Sequence, residues 1–242
     1  PNPMYRNPIG HGMCGPTVVE WGSEEQKKRY LRPLFTGEEV WCQLFSEPGS
    51  GSDFAGLSAK GVKDGDEWIC NGQKVWTSRL QHSDYMLLLA RTTPLAEVQK
   101  RSDGLSCFLI DLKTAIGNGL TVQPILNMVN HETNEIFIDN LRIPVENRIG
   151  EEGLGLKYIL DGLNAERILI AAECIGDGYW FVDRATEYAK QRVVFGRAIA
   201  HNQGIQFPIA KAHINVEAAS LMRYEAARLF DAGLPCGAQA NM

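Results

Sequence analysis

The spacing of apolar residues changes twice along this chain of 242 residues, near residue 40 and near residue 150, and these changes limit the folds open to it. Between residues 40 and 149, short apolar stretches alternate with turns that contain glycine, asparagine or aspartate, which is typical of β-strands. From residue 155 onward, apolar residues recur every three or four positions, as on one face of a helix. The pattern predicts an α+β fold with a remnant of a helical domain at residues 1–39, a β-domain at 40–149 and a helical domain at 150–242.

Seven segments of the β-domain are expected to be strands of an antiparallel sandwich or barrel. Tight hairpin turns are predicted at Asp64-Gly65 and at Asn71-Gly72, because these dipeptides suit the positive φ angles of a two-residue turn. The turns separate three predicted strands, at residues 59–62, 67–70 and 73–78. Further strands are expected at residues 85–92, 105–111, 120–124 and 135–143, and the polar residues 93–104 are expected to form a loop.

Helices are predicted on both sides of the β-domain. Residues 23–31 begin with serine and suit a short capped helix. A long helix is predicted from residue 155 to about residue 191, in which Gly176 and Gly178 mark close packing or a bend. A second helix is expected to begin near Gln203 or Phe207 and to end near residue 230.

The composition excludes several classes of protein. The net charge is -5 and both signs are spread along the chain, which argues against a nucleic-acid partner and against a membrane partner. The apolar runs are too short for a membrane-spanning helix. The six cysteines form no CxxC pair and are expected to be reduced thiols in the core, and the five scattered histidines predict no metal site.

Residues 41–53 end an apolar run in a turn that is rich in glycine and serine. Gly49 and Gly51 permit positive φ angles and a close approach of a ligand to the backbone. Ser46, Ser50 and Ser52 offer hydroxyl groups and uncrowded amides. The segment predicts a cradle for a phosphate or a flavin, and an ordinary serine- and glycine-rich loop is the alternative. The GxGxxG pattern is absent, so a dinucleotide here is not expected to be held as in a Rossmann fold.

Glu166 is the candidate for a catalytic base. Abstraction of a proton from carbon needs a positioned and partly desolvated carboxylate. In a helix, the neighbours of Glu166 on the same face are small or aliphatic, namely Gly162, Leu163, Leu169 and Ile170. The spacing alone favours a glutamate that pairs with a neighbouring helix, and Glu173 is a rival for either role.

Three segments together resemble the acyl-CoA dehydrogenase family. They are residues 41–53, the stretch Val75-Trp76-Thr77-Ser78, and residues 163–170, which resemble the helix that carries the catalytic glutamate in the isovaleryl and long-chain branches. The resemblance covers nearly the whole chain but lacks the N-terminal helices and the last helices of the family. It implies an FAD-dependent enzyme that converts an acyl-CoA thioester to a trans-2-enoyl-CoA. Electrons would then pass to an electron-transferring flavoprotein.

The resemblance also implies roles for single residues. It implies flavin contacts from Gln43, Phe45, Ser46, Gly51, Ser52, Trp76 and Ser78. Arg192, Phe195 and Gln203 would reach the flavin of a neighbouring subunit, so a homodimer or homotetramer is expected. Contacts to acyl-CoA are implied for Ser52, Asn164 and Arg167. Glu166 would be the base, although most relatives use a glutamate in a loop that would lie beyond Met242.

Each of these assignments has a plainer alternative. Taken alone, Trp76 suits a core tryptophan, Arg192 a surface ion pair, and Arg167 a salt bridge between helices. For the whole protein, the alternatives are a flavin oxidase or monooxygenase on the same fold, and a non-catalytic binding protein. The bacterial cytoplasm and the mitochondrial matrix are both expected locations for a member of the family.

Overall fold

Eight strands form one sheet in the part of the chain described by the computed structural model, residues 6–128 and 132–242. The chain divides into two units, Pro1–Leu163 and Asn164–Met242, and the sheet belongs to the first. Its strands are β1 (Trp41–Leu44), β2 (Lys60–Asp64), β3 (Glu67–Ser78), β4 (Tyr85–Arg91), β5 (Leu105–Asp111), β6 (Leu120–Pro124), β7 (Thr133–Pro144) and β8 (Arg148–Ile149).

The sheet is mixed, which corrects the expectation of antiparallel pairing throughout. Hydrogen-bonded neighbours follow the order β6, β7, β3, β2, β4, β5, β8, and β1 pairs with β4. The β1–β4 pair is parallel, because the chain passes through the β2–β3 hairpin before it returns beside β1 in the same direction. The fold class is as predicted, and β5 and β6 have the predicted bounds.

Strand β4 carries core side chains on both faces of the sheet. Met86 and Leu88 contribute to one apolar cluster, whereas Leu87 and Leu89 contribute to a second. Because successive side chains of a strand point to opposite faces, the continuous apolar run of β4 is explained by burial on both sides. The first cluster also contains Trp68, Phe108 and Ile136, and the second contains Val18, Leu34 and Ile159 from the helical segments.

Helix α2 (Glu24–Thr36) follows α1 (Gly15–Trp21) and is fixed at its start by a capping box. The hydroxyl of Ser23 accepts from the amide of Gln26 at 3.2 Å, and the side chain of Gln26 accepts from the amide of Ser23 at 2.9 Å. The predicted helix is therefore confirmed at its N-terminus. It extends beyond the predicted residue 31 and is capped by Gly37, which has a φ of 73°.

The predicted hairpin turn at Asn71-Gly72 is wrong. Both residues lie inside β3, opposite β7, where the register shifts and Asn140 is the extra residue of a bulge. The amide of Asn140 donates to the side chain of Asn71 at 2.8 Å. A Cβ on Gly72 would lie 2.5 Å from the Cβ of Ala59, so glycine is required here by close approach and not by a turn. The other hairpin is present, but its turn is one residue later than predicted, because Asp64 pairs with Glu67 and the turn consists of Gly65, with a φ of 60°, and Asp66.

The second unit is built on two long helices. After the short α3 (Leu112–Ala115), helix α4 runs over Gly155–Gln191, as predicted, and its residues from Asn164 onward belong to this unit. A two-stranded hairpin, β9 (Val193–Val194) and β10 (Arg197–Ala198), precedes α5 (Gln203–Asp231) and the short α6 (Gly237–Asn241). A Cβ on Gly178 would lie 2.8 Å from Val216, so this glycine marks close helix packing, whereas Gly176 faces open space.

Five of the six cysteines are buried, but Cys174 is exposed, which corrects the expectation that all six are core thiols. No helix among the described residues is long and apolar enough to cross a membrane. Within the described ranges, no three histidine, cysteine, aspartate or glutamate side chains form a group that could hold a metal ion. His131 lies outside the described residues.

Candidate functional site

The serine- and glycine-rich turn closes directly after β1. The backbone groups of Glu47 and Ser50 exchange hydrogen bonds of 2.8 and 3.0 Å, and the Ser50 hydroxyl donates to the carbonyl of Asp53. Neither Gly49 nor Gly51 has a positive φ, so that expectation is wrong. A Cβ at either glycine would meet nothing within 4 Å, and both therefore leave the backbone open to a ligand.

Trp76 is held in a left-handed backbone conformation with a φ of 63°. Here Val75 and Trp76 together lie opposite one residue of β7, between the pairs Lys74–Ile136 and Thr77–Asn134, which is a second bulge. The indole is 64% exposed, so the core-tryptophan interpretation is wrong. A large non-glycine residue in this conformation costs about 1 kcal/mol or more, and such strain is concentrated at functional sites.

The structure brings the turn and the Trp76 segment together. The amide of Val75 donates to the carbonyl of Ser46 at 3.0 Å, which joins the end of β1 to the bulge of β3. Gln43, Ser46 and Ser78 are half-buried in these two segments. Gly51 and Ser52 are exposed in the turn. The Phe45 side chain is 7% exposed and packs against the ring of Phe54, so a ligand would meet only its backbone.

A buried ion pair underlies this site and was not anticipated from the sequence. The Lys74 ammonium lies 2.9 Å from Glu47, and both side chains are almost fully buried. Burial lowers the pKa of Lys74 to about 8, against the attraction of Glu47. Burial raises the pKa of Glu47, but the charge of Lys74 and hydrogen bonds from Ser58 outweigh this effect and hold the pKa below its ordinary value. The sequence feature that could have indicated the pair is Lys74, a lysine among the apolar residues of β3.

A second group missed by the sequence analysis fixes the segment after Trp76. The side chain of Asn134 is fully buried and donates to the carbonyls of Thr77 at 3.1 Å and Glu132 at 2.8 Å. Gln81 donates to the same side chain at 2.6 Å. The backbone around Ser78 is therefore anchored to β7.

The loop at residues 93–104 is anchored near the turn by a buried arginine. Arg91 donates to the carbonyls of Ala55, Arg101 and Asp103 at 3.0 to 3.1 Å. Burial lowers the pKa of the Arg91 guanidinium. Arg101 in turn contacts the carboxylate of Asp53 at 2.9 Å. The predicted loop is thus held against the segment that follows the turn.

The implied catalytic and substrate residues of the second unit lie together on α4. Arg167 donates to the side-chain oxygen of Asn164 at 2.9 Å. Both residues and Glu166 are half-buried, and the Oε2 atom of Glu166 is inaccessible to solvent. Glu173, its rival, is exposed. Burial therefore favours Glu166 over Glu173 as a partly desolvated base.

The implied residues at the far end of α4 form a separate group. Arg192 follows the last residue of the helix, and Phe195 and Gly196 form the turn of the β9–β10 hairpin with φ angles of 51° and 78°. Phe195 is fully exposed. Arg192 has no ion pair with a residue of the described ranges, so the surface ion-pair interpretation is not supported. Gln203 is exposed at the start of α5.

The two groups on α4 are far apart. Arg167 and Arg192 are separated by 25 positions. At 1.5 Å per helical residue, the separation is about 37 Å. One flavin in this chain is therefore out of reach of both groups at once.

A cavity of about 530 Å³ in the second unit does not belong to the Glu166 group. Its lining includes Ile168, Ala171 and Ile175 of α4. With 3.6 residues per turn, these positions lie about 140° to 200° around the helix from Glu166. The cavity therefore opens on the opposite face of α4.

The chain matches family models over most of its length. Residues 42–141 match the acyl-CoA dehydrogenase middle domain, and residues 153–242 match the acyl-CoA dehydrogenase C-terminal domain. The two matched ranges contain the site residues of the first and second units respectively.

Individual relatives agree with these matches. An acyl-CoA dehydrogenase of Bacillus subtilis (strain 168) is 35% identical over 93% of this chain and 58% of its own length. The caffeyl-CoA reductase-Etf complex subunit CarC of Acetobacterium woodii is 33% identical over 91% of this chain and 57% of its own length. The solved structure of PigA with FAD and proline has a TM-score of 0.88 at 28% identity, and the match covers 96% of this chain and 60% of that one. The chain thus spans a little more than half the length of these proteins, and it belongs to the acyl-CoA dehydrogenase family.

Proposed function

We propose that the protein is an FAD-dependent dehydrogenase that oxidises an acyl-CoA thioester to a trans-2-enoyl-CoA. The observation that carries the proposal is Trp76, an exposed indole held at a φ of 63° beside an open serine-glycine turn. A strained and exposed aromatic residue contributes little to a core, and its flat face suits a stacked ring system.

The residues around Trp76 fit a flavin. Ser46, whose carbonyl accepts from the amide of Val75, and Ser78, two residues after Trp76, are half-buried, and Gly51 and Ser52 are exposed in the turn. These groups supply the hydrogen bonds and the close approach that a large planar cofactor with a phosphate-bearing tail requires. FAD, when bound, supplies the acceptor for the hydride that leaves the β-carbon of the substrate.

Glu166 is the proposed base and takes the pro-R α-proton on its carboxylate. Its Oε2 atom is inaccessible to solvent, as suits a positioned and partly desolvated base. Asn164 and Arg167, joined by a hydrogen bond of 2.9 Å, and Ser52 are proposed to contact acyl-CoA.

Arg192, Phe195 and Gln203 are proposed to bind the flavin of a neighbouring subunit in a homodimer or homotetramer. Arg192 lies about 37 Å along α4 from Arg167, and this distance supports contacts from the two groups to different flavins. Large exposed apolar side chains of the second unit also support an assembly, because monomers seldom expose so many. Examples are Trp180 (54% exposed), Phe181 (64%), Tyr188 (61%) and Phe207 (62%).

We further propose an electron-transferring flavoprotein as the acceptor, and a bacterial cytoplasmic or mitochondrial matrix location. The Etf-complex relative supports this partner.

The test is an anaerobic titration of the flavin-loaded protein with acyl-CoAs, followed by flavin absorbance. The wild-type protein should bleach, Glu166→Gln should bind without bleaching, and Glu173→Gln, exposed on the same helix, should behave as the wild type. Equal bleaching by wild type and Glu166→Gln would place the base elsewhere.

A flavin oxidase is the second candidate, because one of the similar solved structures is that of the prolyl acyl carrier protein oxidase AnaB. Fast oxygen consumption by the reduced protein with bound product would favour the oxidase. Freshly purified protein without flavin colour and without FAD retention would favour a non-catalytic binding protein.

A further inference from the structure

We propose that the buried Glu47–Lys74 ion pair positions the serine-glycine turn and Trp76 relative to each other for flavin binding, an inference that rests on the proposed flavin site. The pair joins the turn after β1 to the strand that carries Trp76, across 27 positions of sequence. Both residues are positioning residues in this proposal, because neither side chain reaches the surface.

A buried ion pair at this position carries an unfavourable free energy of desolvation. Removing two charges from water costs several kcal/mol for each ion, and well-packed apolar residues often stabilise a fold as well or better. Net stability therefore gives no reason for the pair. The directional hydrogen bonds of the pair explain its presence, since they fix distances between segments that apolar packing alone does not fix.

Glu47 fixes the base of the turn. Its Oε2 atom accepts from the amide of Ser58 at 2.7 Å and from the Ser58 hydroxyl at 2.6 Å. Its Oε1 atom accepts from the amide of Ala59 at 2.9 Å and from Lys74 at 2.9 Å. Both oxygens of the carboxylate are thus engaged, and the turn cannot rotate without breaking charge-assisted bonds.

Lys74 fixes the strand that ends in the bulge. Its ammonium also donates to the carbonyl of Phe45 at 3.0 Å, and the amide of Val75 donates to the next carbonyl, that of Ser46, at 3.0 Å. Consecutive residues of β3 therefore hold consecutive carbonyls at the end of β1. Trp76 is the next residue, so its position relative to the turn is set by these two contacts.

The experiment compares Glu47→Gln, Lys74→Met and the double variant with the wild type. Each single variant leaves one buried charge alone, whereas the double variant removes both. The matched control is Glu67→Gln, which breaks an exposed ion pair of 2.8 Å with Arg142 at the start of the same strand.

Three quantities are measured. One is the ¹⁹F NMR resonance of Trp76 in 5-fluorotryptophan-labelled protein without flavin, assigned with Trp76→Phe, and the resonance of the buried Trp68 is the internal reference. The others are the thermal unfolding midpoint and the dissociation constant of FAD from a fluorescence titration.

The double variant should keep an unfolding midpoint close to that of the wild type, yet shift or broaden the Trp76 resonance while the Trp68 resonance stays. Its FAD dissociation constant should rise about tenfold or more, because small misplacements of binding groups are costly. Glu67→Gln should change none of these quantities.

An unchanged Trp76 resonance or unchanged FAD affinity in the double variant would overturn the proposal, as would a double variant that does not fold, since the pair would then serve the fold itself. Failure of the wild type to bind FAD would instead refute the proposed flavin site. The Trp76 resonance would still decide whether the pair positions the indole.

Discussion

Trp68 and Trp76 lie eight positions apart on β3, yet Trp68 is 2% exposed and Trp76 is 64% exposed. In a regular strand, this even spacing would place both indoles on the same face. The extra residue at Val75-Trp76 reverses the direction of Trp76, and Thr77 then returns to the buried side. One bulge therefore separates an indole that builds the core from an indole that faces solvent.

Replacing Trp76 by glycine should stabilise the protein and weaken FAD binding. Glycine adopts a positive φ without strain, and the indole loses few contacts because it is mostly exposed. We expect the free energy of unfolding to rise by up to about 1 kcal/mol in urea denaturation. Trp68→Gly is the contrasting variant and should lose about 3 kcal/mol or more. A loss of stability in Trp76→Gly would contradict the interpretation of strain.

Gly72→Ala should destabilise the sheet by about 2 kcal/mol, because the new Cβ would lie 2.5 Å from the Cβ of Ala59 and would force the strands apart. Gly49→Ala is the matched control, since its Cβ meets no atom within 4 Å, and its free energy of unfolding should change by less than about 0.5 kcal/mol. Urea denaturation measures both changes. Equal effects of the two substitutions would disprove the close approach at Gly72.

The reactivity of the thiols should depend on folding. Burial raises the pKa of Cys42, Cys70 and Cys107 to about 12 from an ordinary value of 9.0, so these thiols stay protonated and unreactive near pH 8. The exposed Cys174 should react rapidly with a disulfide reagent, and Cys174→Ser should abolish the rapid phase. Rapid reaction of more than one thiol in the native protein would contradict the burial pattern.

The same three thiols should make the protein less stable in alkali. Their pKa is higher in the folded chain than in the unfolded one, so the folded state holds more protons between pH 9 and pH 12. Their contribution to stability is therefore complete below about pH 9 and falls as the pH rises toward 12. Cys107→Ala should show a smaller decline of the unfolding free energy than the wild type over this range.

Arg192→Gln should leave subunit stability unchanged and reduce FAD retention. The guanidinium is exposed and has no ion pair with a residue in the described ranges, so its loss should cost less than about 0.5 kcal/mol. Lys190→Gln, two residues earlier, breaks an exposed pair with Glu187 and is the control. Gel filtration with flavin absorbance measures retention. Retention that falls equally in both variants would point to a general effect of charge.

The parts of the fold that follow from periodicity were predictable from the sequence. The long apolar repeat of α4, the largely apolar run of β5 and the alternating pattern of β6 predicted the observed bounds, since burial sets their pattern directly. The Asn71-Gly72 turn was mispredicted because the same dipeptide also suits a crossing point beside a bulge, and only the partner strand decides between them.

The candidate site was predictable only in part. The residues of the turn and Trp76 could be named from the sequence, but the exposure and backbone conformation of Trp76 depend on its register with β7. The Glu47–Lys74 pair joins two segments that the sequence separates by β2 and the first part of β3, and nothing in either segment specifies the other. Long-range pairing of this kind appears only when the sheet is assembled.

The bulge at Trp76 also separates positions at which a substitution has different consequences. The residues on either side of it face the interior and are held by packing, whereas the inserted position contributes no volume to the interior. A substitution at this single position can therefore alter what the surface recognises without repacking the molecule beneath it. The strand keeps its packing while the residue at this one position can be replaced.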